Sequence, residues 1–399
     1  MLMSPAELKD KISNPIETIA RLDEYIIGQN QAKKVLAIML MNRGLIKLSR
    51  AGLIGTTRPL QNSNVLLIGK TGVGKTGLIR ALEEIADVPI SIFDITSVTG
   101  GAYIGHKIED MLVRHIDKCT DWVDSNYKRI LEKNAPVYTS VSSDGVASTP
   151  AEDLWAKDEM LMDAIETGII YIDEIDKICG DRELQGYSGS TGMVQNELLK
   201  ILESTRNSHV SLFPARAQYP RCGIKTVDVS GISFVCGGAF NGLDDIITRR
   251  MSIQSGIGFH AEVDWKSTGY QDGGIFQFLT TEDLVEYGFK EEFLGRVPLR
   301  SVLETLSKET LIKIILYSKD SIWLQYVEMF NLFGVHLGIE DSALEEVALM
   351  AIELKTGARG LKYIFSNILT DELTQLFNYT DSRFIITRDL VKARGTGER

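Results

Sequence analysis

The sequence has little that would place it in a membrane or in an oxidising compartment. Its longest uninterrupted apolar run, Val35–Met41, is far too short to cross a bilayer. The opening segment MLMSPAELKD has no apolar core of the kind a secretory signal needs. A cytoplasmic location is therefore expected, with no membrane among the partners. Cysteine is scarce: Cys119, Cys179, Cys222 and Cys236 show neither CxxC spacing nor a nearby histidine at ligand spacing. That argues against a zinc site or a disulfide framework and for reduced, packed thiols. Positive charge is short as well, with Lys+Arg 43 against Asp+Glu 54 and a net charge of −11. With no recognisable basic stripe, attraction to a phosphate backbone is weak, and no nucleic-acid partner is expected.

What is present is a globular composition, 44% hydrophobic and 24% charged, long enough for more than one domain. Apolar runs at Asn64–Ile68, Pro89–Phe93, Ile169–Ile172, Ile232–Cys236 and Val297–Val302 alternate with helical periodicity. This pattern predicts an α/β fold, a parallel sheet with helices on both faces. From Lys308 onward helical spacing dominates, as in Leu344, Val347, Ala348, Ala351 and Leu354, with Gly357 expected as the helix C-cap. The expected organisation is an N-terminal lead (1–21), a large α/β domain (22–304), a smaller, mostly helical domain (305–393) and a loose polar tail (394–399).

Two stretches carry chemistry. GKTGVGKT, residues 69–76, fits the phosphate-loop pattern and sits between a predicted buried strand and a predicted helix. Lys70, Thr71, Gly72, Val73 and Gly74 would turn backbone N–H groups onto phosphate oxygens. Lys75 would add charge, and the Thr76 hydroxyl would reach Mg²⁺. GIIYIDEID, residues 168–176, is an apolar strand delivering two adjacent carboxylates to its C-terminal end. Asp173 would hold the Mg²⁺ shell and Glu174 would polarise an attacking water. ATP and Mg²⁺ are the cofactors these residues imply. A third stretch, QSGIGFHAE (254–262), puts Ile257 and Phe259 on a glycine-rich loop, either tucked against its own domain or offered to another protein.

Taken in order, LDEYIIGQNQAKKVL (22–36), the phosphate loop, GGAYIGHKIEDML (100–112), YIDEIDKI (171–178), FVCGGAFNGLD (234–244), SGIGF, EEFLGRVP (291–298) and KTGARGLKYI (355–364) resemble the ClpX family of AAA+ protein unfoldases. The resemblance runs from about residue 20 to about residue 390, and is closer than that to the related HslU. It implies an AAA+ large domain with a small helical domain, assembled as a homohexamer that unfolds tagged or unfolded proteins and feeds a ClpP-type peptidase ring. It further implies that Ile26 and Ile27 line an adenine pocket and that Arg359 is a sensor arginine of the small domain. Arg296 matches the family's arginine finger, which reaches the neighbouring subunit's nucleotide and can be worth roughly 10³ to 10⁵ in rate. Tyr103 and Ile104 match a pore loop that grips polypeptide, and Ile257, Gly258 and Phe259 match the tripeptide that docks on the peptidase.

The sequence also departs from the family. The stretch before residue 22 holds no paired cysteines, so docking of adaptors and substrates through the family's N-terminal zinc module is expected to be absent. Ala217, Gln218 and Tyr219 stand where a basic pore-entrance triplet is usual, and Ala102 replaces the first glycine of the pore loop. The second pore-loop position, Arg182–Gln195, matches only loosely. An insert of about forty residues, roughly 120–158, is expected to form two short helices around a Ser-rich loop as a surface decoration. Two other readings remain open. One is a nucleic-acid motor or clamp loader, with Tyr103 stacking bases beside His106 and Lys107; the other is a scaffold that binds nucleotide without hydrolysing it.

Overall fold

The computed structural model describes residues 3–58, 60–99, 104–134, 150–179, 188–202, 209–211, 226–255, 274–378 and 383–395. Nine strands lie within them: β1 (Val65–Ile68), β2 (Ile90–Asp94), β3 (Ile169–Asp173), β4 (His209–Ser211), β5 (Thr226–Asp228), β6 (Ser233–Gly238), β7 (Leu299–Val302), β8 (His336–Ile339) and β9 (Arg383–Ile386). Five of them form the main sheet in the order β2-β3-β6-β1-β7, and every pairing in it is parallel. This is the α/β architecture expected from the apolar runs.

The three central strands, β3, β6 and β1, are buried on both faces because nearly every position in them is apolar. Val65, Leu67, Ile169, Tyr171 and Val235 pack on one face with the helices Asn30–Arg50 and Lys75–Ile85. Leu66, Ile68, Ile170, Ile172, Phe234 and Cys236 pack on the other, against helices that include Ile104–Asn134, Pro150–Glu166 and Ser188–Leu202. The division follows the two-residue alternation of strand side chains. Each fully buried Leu or Ile contributes about 1.5–3 kcal/mol, so this sandwich is the main reservoir of stability.

The C-terminal residues form a separate core around Leu311, Trp323, Phe330, Val347, Ile364, Phe365 and Val391. It is mostly helical as expected, with a two-stranded parallel pair, β8 and β9, that the periodicity does not reveal. Gly357 is not the cap of the preceding helix. That helix, Asp341–Glu353, ends through Leu354 and the left-handed Lys355, whereas Gly357, at φ 55, opens the next helix, Ala358–Gln375. Arg394 is not in a loose tail either: it closes the last helix, Arg388–Arg394, and pairs with Asp371 and Glu372 at 3.5 and 3.4 Å.

The insert also differs from expectation. Its first part is no separate short helix but the continuation of one 31-residue helix, Ile104–Asn134. Val123 and Met160 are buried in the large core, and Trp122, Tyr127 and Leu161 pack against it, so the base of the insert is part of the fold and not a surface addition. The physical reason is continuous amphipathicity: nothing in 104–134 breaks the helix, and its apolar stripe extends the buried face. Cys119, Cys179 and Cys236 are free thiols, as expected, while Cys222 lies outside the described residues. A histidine does stand one turn before Cys119: His115 Nε2 is 3.6 Å from its Sγ. His115 is fully buried, sharing a hydrogen bond with the Ser91 hydroxyl at 2.7 Å and lying 3.1 Å from the Ile165 carbonyl. Burial lowers its pKa to about 4, which makes it a neutral packing group. Among the described residues no trio of His, Cys, Asp or Glu is placed to hold a metal, and no helix is long and apolar enough to cross a membrane.

Candidate active site

All five strands of the main sheet end on the same side, and the predicted phosphate loop, Asp173 and Glu174 meet there. Gly72 (φ 81) and Gly74 (φ 104) adopt left-handed backbone, which lets the loop fold back before the helix starting at Lys75. The Lys75 ammonium lies inside the loop, donating to the Gly69 carbonyl at 2.5 Å and the Lys70 carbonyl at 3.1 Å. Thr71 is exposed at the loop tip, Val73 is buried beneath it, and the Lys70 ammonium is 3.9 Å from the Asp244 carboxylate.

Thr76 is the second residue of that helix, and its hydroxyl donates to Asp173 Oδ2 at 3.0 Å. The backbone N–H of Glu174 donates to Asp173 Oδ1, also at 3.0 Å. Glu174 is exposed and left-handed, at φ 57, an uncommon conformation for a residue with a side chain. The turn holds because Asp176, buried two residues on, accepts from the N–H groups of Ala239 and Phe240 at 3.2 and 3.4 Å.

Ile26 and Ile27 are half-buried at the end of the helix Pro15–Tyr25. The Ile26 methyl lies beside Gly77, 3.7 Å from where a Cβ there would sit. Buried Lys33 fixes this segment by donating to the Ile26 carbonyl and to Asp23, each at 2.5 Å. The helical C-terminal unit closes the other side of the cleft. Its Ser318 hydroxyl donates to the Tyr25 carbonyl at 2.6 Å, the Lys319 N–H to the Glu24 carbonyl at 2.9 Å, and the Ala358 N–H to the Gly72 carbonyl at 3.1 Å. Arg359 follows directly on Ala358, exposed, and its charge is one of the influences on Lys75. The structure thus brings Ile26, the phosphate loop, Asp173, Glu174 and Arg359 to one cleft.

Arg296 is elsewhere. It ends the helix Glu291–Arg296 just before β7, and its carbonyl accepts from the side chain of Asn64, the residue before β1. That is the opposite end of the sheet from the phosphate loop, roughly 16 Å away along β1 at about 3.3 Å per residue. Tyr103, Ile257, Gly258 and Phe259 lie outside the described residues, as do Ala217, Gln218 and Tyr219; Ile104 begins a helix, but its side chain is likewise not described.

One further side chain of the cleft, Gln29, has no counterpart among the motif residues. Gln29, buried and left-handed at φ 56, donates to the carbonyls of Val73 (3.2 Å) and Glu304 (2.8 Å) and accepts from the Glu304 N–H (2.9 Å). It ties the phosphate loop to the connection leading into the helical unit. The sequence offers only a weak signal, a Gly-Gln pair before a helix.

Comparison with known proteins gives the family. Residues 60–300 match the AAA domain (Cdc48 subfamily). The chain is 34% identical over 387 residues to the ATP-dependent Clp protease ATP-binding subunit ClpX of Borrelia duttonii, covering 95% of this chain and 79% of that one. The ClpX of Bacteroides thetaiotaomicron is 30% identical over 385 residues, covering 96% and 82%. This chain belongs to the ClpX family. It is an AAA ATPase with a nucleotide-binding site, and its ClpX relatives give no support to the clamp-loader or scaffold readings.

Electrostatics at the ClpX-type phosphate loop yields a test. Burial is the largest influence on Lys75 and lowers its pKa from 10.5 to about 8; Asp173 and Asp176 oppose the shift and Arg359 adds to it. The unfolded chain therefore binds more protons between about pH 8 and 10.5. The stability cost of the buried charge is full below about 8 and is relieved as pH rises. A bound polyphosphate favours the charged form, so nucleotide affinity should fall by up to about tenfold per pH unit above pH 8, with proton uptake. Calorimetric titration with ADP in two buffers of different ionisation enthalpy checks this. Lys75→Met should remove the slope, and affinity that stays flat to pH 10 would refute the assignment.

Proposed function

We propose that the protein hydrolyses ATP at the interfaces of a hexameric ring, unfolds proteins through the central pore, and delivers them to a ClpP-type peptidase. Residues 22–304 and 305–393 are the two domains of each subunit in this reading. The observation that carries it is the separation of Arg296 from its own phosphate loop in a chain where the phosphate loop, Asp173, Glu174 and Arg359 converge. An arginine on the far edge of the sheet serves a neighbour's nucleotide more readily than its own.

Within the cleft, the backbone of Lys70–Gly74 and the Lys75 ammonium hold the phosphates and Arg359 approaches from the helical domain. Ile26 and Ile27 pack on the base. The Thr76 hydroxyl and the Asp173 carboxylate, 3.0 Å apart, are hard oxygen donors that suit Mg²⁺. Once bound, Mg²⁺ neutralises charge on the phosphate oxygens. Glu174 takes the proton of the attacking water, and the left-handed turn presents its carboxylate to solvent at the strand end. Tyr103 and Ile104 grip substrate in the pore, a role supported by their motif alone. Ile257, Gly258 and Phe259 dock on the peptidase. Burying Ile and Phe contributes roughly 1.5–3 kcal/mol each, weak for one loop but strong for several on one ring.

Glu174→Gln and Arg296→Ala should each bind ATP without turning it over. Mixing the two inactive proteins should restore part of the ATPase, because some interfaces then pair an intact Glu174 with an intact Arg296. ATP turnover by wild-type monomer at high dilution would rule out the shared site.

The two loop assignments separate in one assay set. Phe259→Ala should keep ATPase and unfolding near wild type while abolishing degradation with a ClpP-type peptidase. Tyr103→Ala should keep ATPase and lose most unfolding of a stable substrate. A Phe259→Ala protein that degrades at the normal rate, or equal losses of ATPase and unfolding in Tyr103→Ala, would contradict the respective role.

A further inference from the structure

Tyr171 lies two residues before Asp173 on β3, so strand alternation sends both side chains to the face occupied by the helix Lys75–Ile85. Its ring is fully buried, and its hydroxyl donates to Asp173 Oδ1 at 3.0 Å. That oxygen also accepts the Glu174 N–H at 3.0 Å, whereas Oδ2 accepts the Thr76 hydroxyl. The two oxygens of Asp173 are thereby made unequal: Oδ1 is occupied by two protein donors and Oδ2 is turned to Thr76. A carboxylate torsion is otherwise broad and nearly two-fold, so nothing intrinsic to Asp173 makes this choice.

The hydroxyl has this position only because the neighbouring strand is bare. Val235 is the register partner of Tyr171, and Gly237, two residues on, lies under the phenol. A Cβ at Gly237 would fall 2.3 Å from the Tyr171 hydroxyl and 2.9 Å from the ring carbons next to it. β6 ends in two glycines, and the first leaves the space the hydroxyl fills.

We propose that Tyr171 is a positioning residue: seated over Gly237, its hydroxyl fixes the rotation of Asp173 so that Oδ2 and the Thr76 hydroxyl present one preformed pair of oxygens to Mg²⁺. The inference rests on the reading of Asp173 as the Mg²⁺ residue. Losing a group that orients a metal-binding carboxylate typically costs 10- to 100-fold in metal affinity. A residue that only fills the core would instead lower stability and leave the metal preference alone.

The test is the ratio of affinities for a fluorescent, non-hydrolysable ATP analogue in Mg²⁺ and in EDTA, measured on the full chain. A ratio cancels any general loss of folded protein. Tyr171→Phe should lower it by about tenfold or more, through weaker binding in Mg²⁺, with binding in EDTA unchanged. Direct Mn²⁺ binding to the nucleotide complex, read by electron paramagnetic resonance, should weaken in parallel. An unchanged ratio in Tyr171→Phe overturns the inference, whatever happens to its melting temperature. Should that variant lack a cooperative melt, Gly237→Ala, which keeps the phenol but displaces the hydroxyl, decides by the same ratio. If wild type itself shows no Mg²⁺ dependence, the Asp173 reading fails and this inference with it. A wild-type dependence that Tyr171→Phe preserves removes the inference alone.

Discussion

A backbone-to-backbone contact between the phosphate loop and the helical unit sets the shape of the candidate nucleotide cleft. The Ala358 N–H donates to the Gly72 carbonyl at 3.1 Å, and both chains approach too closely for a side chain. A Cβ on Gly72 would lie 2.0 Å from the Thr356 carbonyl oxygen, and one on Gly357 would lie 2.6 Å from the Gly72 carbonyl oxygen. Both glycines also have positive φ, at 81 and 55. The next residue after this contact is Arg359, so the arginine's distance from the phosphate loop is fixed by two missing side chains. The Ser318 and Lys319 contacts to the Glu24–Tyr25 backbone repeat the arrangement beside Ile26.

Gln29 joins these contacts into one system. Its amide holds Val73 in the phosphate loop and Glu304 at the exit from β7, where the chain passes to the helical unit. A change in the loop is therefore mechanically close to the inter-unit connection. The Lys75 ammonium meanwhile rests on loop carbonyls in a largely buried position, with Asp173 and Asp176 offsetting part of the burial cost. The loop is held in shape by its own lysine, which reduces the reorganisation that phosphate binding requires.

Much of this was legible in the sequence because it depends on local rules. Apolar runs mark β1, β3 and β6; the glycine spacing marks the phosphate loop; and the acids after Ile172 mark the strand end that faces it. The rest depends on tertiary contact. Gly357 follows a helical stretch and reads as its cap, but its true role is set by Gly72, far away in sequence. Gln29 looks like an ordinary helix start until the carbonyls it serves are in place. The β8–β9 pair joins short, distant segments whose partners no period announces. The helix Ile104–Asn134 runs past the start of the expected insert because its buried face continues beyond Thr120 to Val123, a continuity that only packing reveals. Ile257 and Phe259 stand out as apolar residues on a glycine-rich loop, but their docking role and the pore role of Tyr103 come from motif resemblance alone, and all three lie outside the described residues.

ATP-driven unfolding coupled to a peptidase is measured most directly by the fluorescence of a tagged green fluorescent protein incubated with the purified chain, ATP and a ClpP-type peptidase. A steady, ATP-dependent loss of fluorescence and appearance of peptides is expected, both absent with a non-hydrolysable ATP analogue. Vigorous ATP hydrolysis with fluorescence unchanged, or stimulation of that hydrolysis by single-stranded DNA in place of unfolded protein, would contradict it.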